Sequence, residues 1–171
     1  MTDESLMLCV KNEDLDKAAI LYERYKRRLF NFFLYKNNSN KEKSEDCVHQ
    51  VFYRIIKYRQ SYKEDNNFKV WVYTIAWNNQ HNDFILQAKM EDVRANYQIT
   101  EEYTQVDDRH QAIQHALMLL PEPYREVLLM SKFLGLKYEE IAAINNCSVG
   151  VIKTRAFRAI QQLREVYFKI S

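Results

Sequence analysis

The stretch from Tyr138 to Arg158 constrains the fold more than any other part of this chain, because it has the spacing of a helix-turn-helix. Small or apolar residues stand where two short helices would face each other: Ile141, Ala142, Cys147 and Ile152. Asn146 stands at the turn, where a positive φ is usually needed and Asn tolerates it better than most residues. The pattern predicts two helices packed at a sharp angle.

The second of these helices has two distinct faces when its residues are placed at intervals of about 100°. Apolar residues form a core stripe: Ile152, Ala156, Ala159, Ile160 and Leu163. The opposite face carries Lys153, Thr154, Phe157, Arg158 and Gln161. Such side chains can reach phosphates and base edges in a major groove, and the amides that follow the N-cap candidate Ser148 suit a phosphate oxygen. Arg155 lies off the centre of this face and is predicted to pair with Glu139 or Glu140.

A solvated basic face on an ordinary amphipathic helix is the alternative interpretation of this pattern. The aromatic residue in the middle of the face decides between the two. Phe157 has no core to fill at that position, so contact with a sugar, a thymine methyl group or a partner explains it better. The pattern therefore favours a helix that binds duplex DNA.

Composition favours helices over sheets. The chain has 171 residues, 47% of them hydrophobic, and its two Gly and two Pro leave few turns for a many-stranded sheet. Charge is segregated, because residues 91–108 carry six acidic residues and one Arg, whereas the chain from Val149 onward carries five basic residues and one Glu. We predict an all-α protein with two small helical domains, at 6–90 and 109–171, joined by a flexible acidic linker at 91–108.

Apolar periodicity predicts the remaining helices. They are expected at 14–35, 45–59, 68–89, 109–120 and 122–134. Ser44 is expected to start the second of them, and Gly135 to end the fifth. The second helix is expected to expose one polar side, made of Asp46, His49, Gln50, Tyr53 and Lys57. Trp77 and Asn78 are expected to turn away from the buried side of the third helix, beside a loop, where rings and amides can capture unstacked bases.

Other kinds of site find little support in the sequence. The three Cys residues lack pair spacing, so reduced core thiols are expected. The sequence has no Gly-rich phosphate loop and no His and carboxylate cluster with ligand spacing, so we expect no cofactor, no metal and no enzymatic activity. No apolar run reaches the length of a membrane span, and the N-terminus lacks a signal-peptide pattern. A cytoplasmic protein without direct membrane insertion is therefore expected.

Four motifs, in the same order, resemble those of bacterial sigma-70 family sigma factors. They are EDCVHQVF (45–52), FKVWVYTIAWNNQHND (68–83), LPEPYREVLLM (120–130) and the helix-turn-helix itself. Their combination is similar to the minimal two-domain sigma factors of the extracytoplasmic-function (ECF) group. That resemblance covers about residues 6 to 168.

The resemblance implies three contact surfaces and an anti-sigma factor as a further partner. Core RNA polymerase would be bound at its largest-subunit clamp and at its flap, the clamp contact being made by Asp46, His49, Gln50 and Tyr53. An unpaired base of the −10 element would be held by Tyr62, Lys63, Asn66, Asn67, Trp77 and Asn78. The −35 duplex would be read by Gly150, Val151, Lys153, Thr154, Phe157 and Arg158. Tyr62 offers a stacking face, with loop anchoring as the alternative role.

Two other classes of function remain open at this stage. A stand-alone repressor or activator, or a response-regulator output domain, would carry a similar helix-turn-helix and would bind promoter duplex without polymerase. A degenerate sigma relative could instead titrate polymerase or an inhibitor without supporting transcription. The first 90 residues discriminate a sigma factor from a repressor, because a repressor would use them for a ligand pocket or a dimer face. The titrating relative would be recognised by polymerase binding without specific transcription.

Overall fold

The predicted all-α fold is confirmed by the computed structural model, which describes the backbone of residues 1–78 and 108–170 and the side chains of 1–78 and 111–169. Within these residues there are eight α-helices, one short 3₁₀ turn (Arg59–Ser61) and no β-strand. The helices are α1 (Asp3–Lys11), α2 (Lys17–Lys36), α3 (Lys41–Lys57), α4 (Phe68–Asn78), α5 (Asp108–Met118), α6 (Glu122–Lys132), α7 (Tyr138–Asn145) and α8 (Val149–Ile170). Two predicted segments lie outside the described residues. They are the part of the third helix beyond Asn78 and the linker at 91–108, of which only the backbone of Asp108 is described.

Helix α1 was not predicted, although its start carries a recognisable signal. The Thr2 side chain accepts a hydrogen bond from the Ser5 N–H at 3.1 Å, and Asp3 and Glu4 follow in the first turn. Three apolar side chains of α1 are buried: Leu6, Met7 and Val10. The next helix was predicted to begin at residue 14. It begins at Lys17, because the chain first turns back from α1.

An aromatic core joins α2, α3 and α4. Its members are less than 2% exposed: Tyr22, Phe30, Phe32, Phe33, Phe52, Tyr62, Phe68 and Tyr73. Several of their rings meet edge to face, such as Tyr22 with Phe52 at a centroid distance of 5.0 Å. Helix α3 starts earlier than predicted, because the Asn40 side chain caps it by accepting from the Lys43 N–H at 3.0 Å. Ser44, the predicted start, is instead buried inside α3.

The C-terminal helices follow the predicted order closely. Gly135 ends the α6 segment with φ +63°, a left-handed conformation that suits glycine. Residues predicted at the angle between α7 and α8 are buried, with Ile141 and Ile152 fully covered and Ala142 4% exposed. Cys147 is half-buried. The angle between the two helices is thus filled by the side chains that the spacing indicated.

The N-terminal and C-terminal helices pack against each other. Lys36 on α2 forms an ion pair with Glu126 on α6 at 2.8 Å, and both side chains are 8% exposed. Beside them, the rings of Tyr35 and Phe133 lie with their centroids 4.4 Å apart. Lys69 on α4 donates to the Gly135 carbonyl oxygen at 2.8 Å. Across the described part of the chain, no helix combines the length and apolarity needed to cross a bilayer.

Candidate nucleic-acid interface

The turn between α7 and α8 fixes where the second helix begins. Asn146 adopts the left-handed conformation, with φ 55° and ψ 47°, and the Cys147 N–H donates to the Ala142 carbonyl oxygen at 3.0 Å. Ser148 then caps α8, because its hydroxyl oxygen accepts from the Val151 N–H at 3.3 Å. Both the turn residue and the cap agree with the sequence predictions.

The predicted division of α8 into two faces is confirmed. Ile152, Ala156 and Ala159 are buried against the neighbouring helices. The residues predicted to face DNA are all exposed: Gly150, Val151, Lys153, Thr154, Phe157 and Arg158. Phe157 is 65% exposed, so it fills no core and presents its ring to solvent. This side of α8 is called the outer face below.

A surface groove of about 750 Å³ borders the first turns of the outer face. It is lined by Pro121, Pro123, Tyr124, Ser148, Gly150, Val151, Thr154, Arg155 and Arg158. Arg155 thus lies in the groove, and its predicted pairing with Glu139 or Glu140 is wrong. Glu140 instead accepts from the Lys137 N–H at 3.0 Å and completes the capping of α7. The two charged side chains among these described lining residues are both arginines, so the groove suits an anion.

The loop before α4 gives a mixed outcome for the predicted −10 contacts. The prediction that Tyr62 offers a stacking face is wrong, because its ring is fully buried beside Trp71, at a centroid distance of 5.1 Å. The Tyr62 hydroxyl donates to the Asn66 carbonyl oxygen at 2.6 Å, which is the anchoring role. Lys63, Asn66 and Asn67 are exposed, and the Asn67 side chain also caps α4 by accepting from the Val70 N–H at 3.2 Å.

The other two predicted −10 residues lie at the end of α4. The side chain of Asn78 is exposed, while its carbonyl oxygen accepts from Arg54 at 3.4 Å. Trp77 is partly buried, and the Lys36 ammonium lies 5.0 Å from the centre of its ring. Asn78 is therefore accessible to a nucleotide, whereas Trp77 lies beside Lys36, whose ammonium pairs with Glu126.

The predicted polymerase-docking face of α3 is less exposed than expected. Asp46 and Tyr53 are partly exposed, but His49 and Gln50 are each only 5% exposed, so their predicted exposure is wrong. The His49 ring lies parallel to that of Tyr22 on α2, with centroids 6.3 Å apart and an interplanar angle of 9°. A residue of the neighbouring helix therefore covers a side chain that the periodicity of α3 alone placed outward.

Sequence profiles identify both groups of helices. The profile of sigma-70 region 2 matches residues 21–85, and that of sigma-70 region 4 matches residues 110–163. The ECF RNA polymerase sigma-E factor of Escherichia coli strain K12 is 28% identical to the chain, over 93% of this chain and 91% of the relative. The protein belongs to the ECF group of sigma-70 family sigma factors. Region 2 of this sigma factor thus includes α2 to α4, and region 4 includes the helix-turn-helix.

Solved structures share the fold of this sigma factor. CnrH, solved in complex with the cytosolic domain of CnrY, superposes with a TM-score of 0.77 at 19% identity and covers 99% of both chains. The sigma factor RpoE of Bartonella quintana, solved with the anti-sigma factor NepR, superposes with a TM-score of 0.65 at 25% identity. That comparison covers 90% of this chain and 96% of RpoE. The arrangement of the described helices, and not one motif alone, is therefore shared.

Proposed function

We propose that this ECF sigma factor directs promoter-specific initiation by docking on core RNA polymerase, reading the −35 duplex and capturing unpaired −10 bases. The outer face of α8 carries this proposal, because an exposed Phe157 stands there among Lys153, Thr154 and Arg158. Bond formation belongs to the polymerase in this scheme. The sigma factor contributes binding and positioning and is not itself an enzyme.

At the −35 element, α8 would lie in the major groove with its outer face towards the bases. Thr154 donates its hydroxyl hydrogen to the Gly150 carbonyl oxygen at 3.0 Å, so its oxygen stays available as an acceptor. Arg158 can form the bidentate pair with guanine that is the commonest specific contact, and Lys153 can neutralise a phosphate. Gly150 would let the backbone approach the groove closely, and Val151 and Phe157 would pack on a thymine methyl group or a sugar.

At the −10 element, the exposed polar side chains around α4 would hold a base after it leaves the stack. Lys63, Asn66 and Asn67 would contribute from the loop, and Asn78 from the end of α4. Extruding a base costs a few kcal/mol, and stacking worth about 1–3 kcal/mol per base, together with amide contacts, would offset that cost. Trp77, half-buried beside Lys36, would supply an aromatic edge. Tyr62 has no direct contact in this scheme, since its ring is buried.

Core polymerase would be bound through the clamp by α3, with Asp46 and Tyr53 as its accessible side chains. His49 and Gln50 are buried and would support that face from within. Region 4 would provide the second contact, at the flap. An anti-sigma factor is a further proposed partner, because the RpoE relative was solved with one. Since bacterial transcription takes place in the cytoplasm, we propose that the protein acts there.

In vitro transcription with purified core polymerase tests this function. Core polymerase with the sigma factor should start transcripts from a subset of genomic fragments, and those fragments should share upstream sequences at the −35 and −10 positions. A repressor or activator would bind duplex without core polymerase and support no transcript. A protein that only titrates polymerase would bind core and likewise yield none, and either result would contradict the proposal.

Replacing Arg158 by Ala is expected to weaken binding of a −35 duplex by about 1–3 kcal/mol, because one bidentate base contact is lost. Fluorescence anisotropy with a labelled duplex at fixed salt measures the change. Arg164→Ala is the matched control, since Arg164 is an exposed arginine on the same helix, six positions beyond Arg158 and not among the residues proposed to contact DNA. Equal losses in the two variants would mean that α8 contributes only general positive charge. A fall in thermal stability for Arg158→Ala would instead make that side chain structural.

A further inference from the structure

Helix α1 lies outside the residues matched by the region 2 profile, yet it contacts both ends of the loop proposed to capture a −10 base. The Lys11 ammonium donates to the Tyr62 carbonyl oxygen, where the loop begins, at 2.7 Å. The Glu4 carboxylate accepts from the Phe68 N–H, where α4 begins, at 3.1 Å. One helix thus holds the two ends of the loop through one charged donor and one charged acceptor.

The position of α1 does not depend on these two contacts. Its apolar face is buried in the core of region 2 through Leu6, Met7 and Val10. Its first turn is tied to α2, because the Asp3 carboxylate accepts from the Tyr25 hydroxyl at 2.5 Å and from Arg24 at 2.5 Å. Helix α1 is therefore a fixed support to which the loop is attached.

The same helix also binds the segment that leads into the loop. The Gln60 side-chain amide donates to the Lys11 carbonyl oxygen at 2.8 Å, and Arg59 donates to both carboxylate oxygens of Glu13, just beyond α1, at 3.0 Å. Within the loop, the buried Tyr62 ring holds the backbone through its bond to Asn66. The backbone is thus fixed from the inside, while the side chains proposed to meet DNA stay exposed.

The charge and placement of Glu4 and Lys11 suit this role. Hydrogen bonds with a charged partner are roughly twice as strong as neutral ones. A carboxylate at the N-terminus of α4 is also favoured by the helix dipole. Neither residue lies on α3 or α8, so their effect should be confined to the loop and α4.

We infer that Glu4 and Lys11 are positioning residues for base capture, which hold the loop in the shape that receives an unpaired base. They act through the backbone at Tyr62 and Phe68 and do not touch the DNA themselves. Preorganisation matters here because a loop that must first be ordered spends part of its binding free energy on that ordering. The inference rests on the proposed function of the loop.

Binding of single-stranded DNA to the holoenzyme tests the inference. The probe is a fluorescein-labelled non-template −10 oligonucleotide from a promoter that the wild-type protein transcribes. Lys11→Met and Glu4→Leu are each expected to weaken its binding roughly tenfold, because a hydrogen bond to a charged group is lost. Affinity for core polymerase and for the −35 duplex should not change. Lys11→Arg keeps a charged donor and should stay within about twofold of wild type. Glu4→Gln keeps the acceptor but loses the charge, so its binding should fall between that of wild type and that of Glu4→Leu.

Two further variants separate positioning from general effects. Asn78→Ala should weaken the same oligonucleotide by direct loss of a contact. Arg24→Met removes the hydrogen bond from Arg24 on α2 to Asp3 on α1, which does not involve the loop. This variant should leave oligonucleotide binding unchanged. Thermal unfolding followed by circular dichroism checks each fold, and Lys11→Met carries the test alone if Glu4→Leu melts below the assay temperature.

The possible outcomes distinguish this inference from the proposed function. A weakened Asn78→Ala with normal binding by Lys11→Met would overturn the positioning role and leave base capture intact. Equal losses in Arg24→Met and Lys11→Met would reduce α1 to a general stabiliser, which also overturns it. If the wild-type protein supports no transcription with core polymerase, the proposed function fails, and the inference fails with it.

Discussion

Replacing Glu126 by Leu is expected to lower the free energy of unfolding by about 3–5 kcal/mol, because it leaves the buried Lys36 ammonium without its counter-charge. Glu126 and Lys36 are 2.8 Å apart and each side chain is 8% exposed, so water cannot take the place of the missing partner. The ammonium also lies against the rings of Phe32 and Trp77, which cannot replace a carboxylate. Urea denaturation followed by far-UV circular dichroism measures the change.

The double variant Lys36→Met with Glu126→Leu should regain most of that loss. Burial lowers the pKa of Lys36 and raises the pKa of Glu126, in each case against the attraction of the partner. Burial therefore opposes the charged form of each partner, and apolar replacements of both partners of a buried pair are often neutral or stabilising. Glu165→Leu, at an exposed position on α8, is the control and should change stability by no more than about 0.5 kcal/mol. A double variant as unstable as the single one would contradict this account.

The helix-turn-helix could be predicted from sequence because its determinants are close together in the chain. The turn at Asn146 and the cap at Ser148 depend on residues within a few positions, and local backbone chemistry decides both. The two faces of α8 follow from one period of 3.6 residues, which any helix imposes on its own sequence. In the folded protein, the neighbouring helices cover the apolar face predicted in this way, as they do at Ile152.

The burial of Tyr62 and His49 could not be predicted in the same way. An aromatic residue in a polar loop is compatible with a stacking surface or with an anchor, and the choice depends on what lies opposite. For Tyr62 that is Trp71 on one side and the backbone contact from Lys11, 51 residues earlier, on the other. For His49 it is Tyr22 on the preceding helix. Periodicity describes one helix at a time and carries no information about its neighbours.

The contact between region 2 and region 4 could not be predicted from any sequence pattern. Lys36 and Glu126 are 90 positions apart, and each alone looks like an ordinary surface charge. The residue at which α3 starts was also not predicted correctly. Asn40 and Ser44 are both good N-cap residues, and the structure uses Asn40 because the Ser44 hydroxyl bonds back to the Asn40 carbonyl oxygen inside the helix.

Replacing Ile152 by Ala is expected to lower the free energy of unfolding of region 4 by about 2–5 kcal/mol, because it opens a cavity in a well-packed angle between helices. Ile152 is fully buried, and it fills the angle between α7 and α8 together with Ile141. Thermal unfolding measures the loss. Val151→Ala is the matched control, because Val151 precedes Ile152 in the same helix but is 39% exposed. That control should change stability by no more than about 0.5 kcal/mol.

The DNA affinity of the Ile152→Ala variant separates folding from recognition. Ile152 lies on the buried side of α8, so the variant keeps every side chain of the outer face. At a temperature well below its unfolding midpoint, it should therefore bind a −35 duplex nearly as well as wild type, whereas Arg158→Ala should remain weak at every temperature. If the folded Ile152→Ala variant still bound the −35 duplex weakly, the cavity would have changed the angle between the helices. Core packing would then determine the orientation of the outer face as well as its stability.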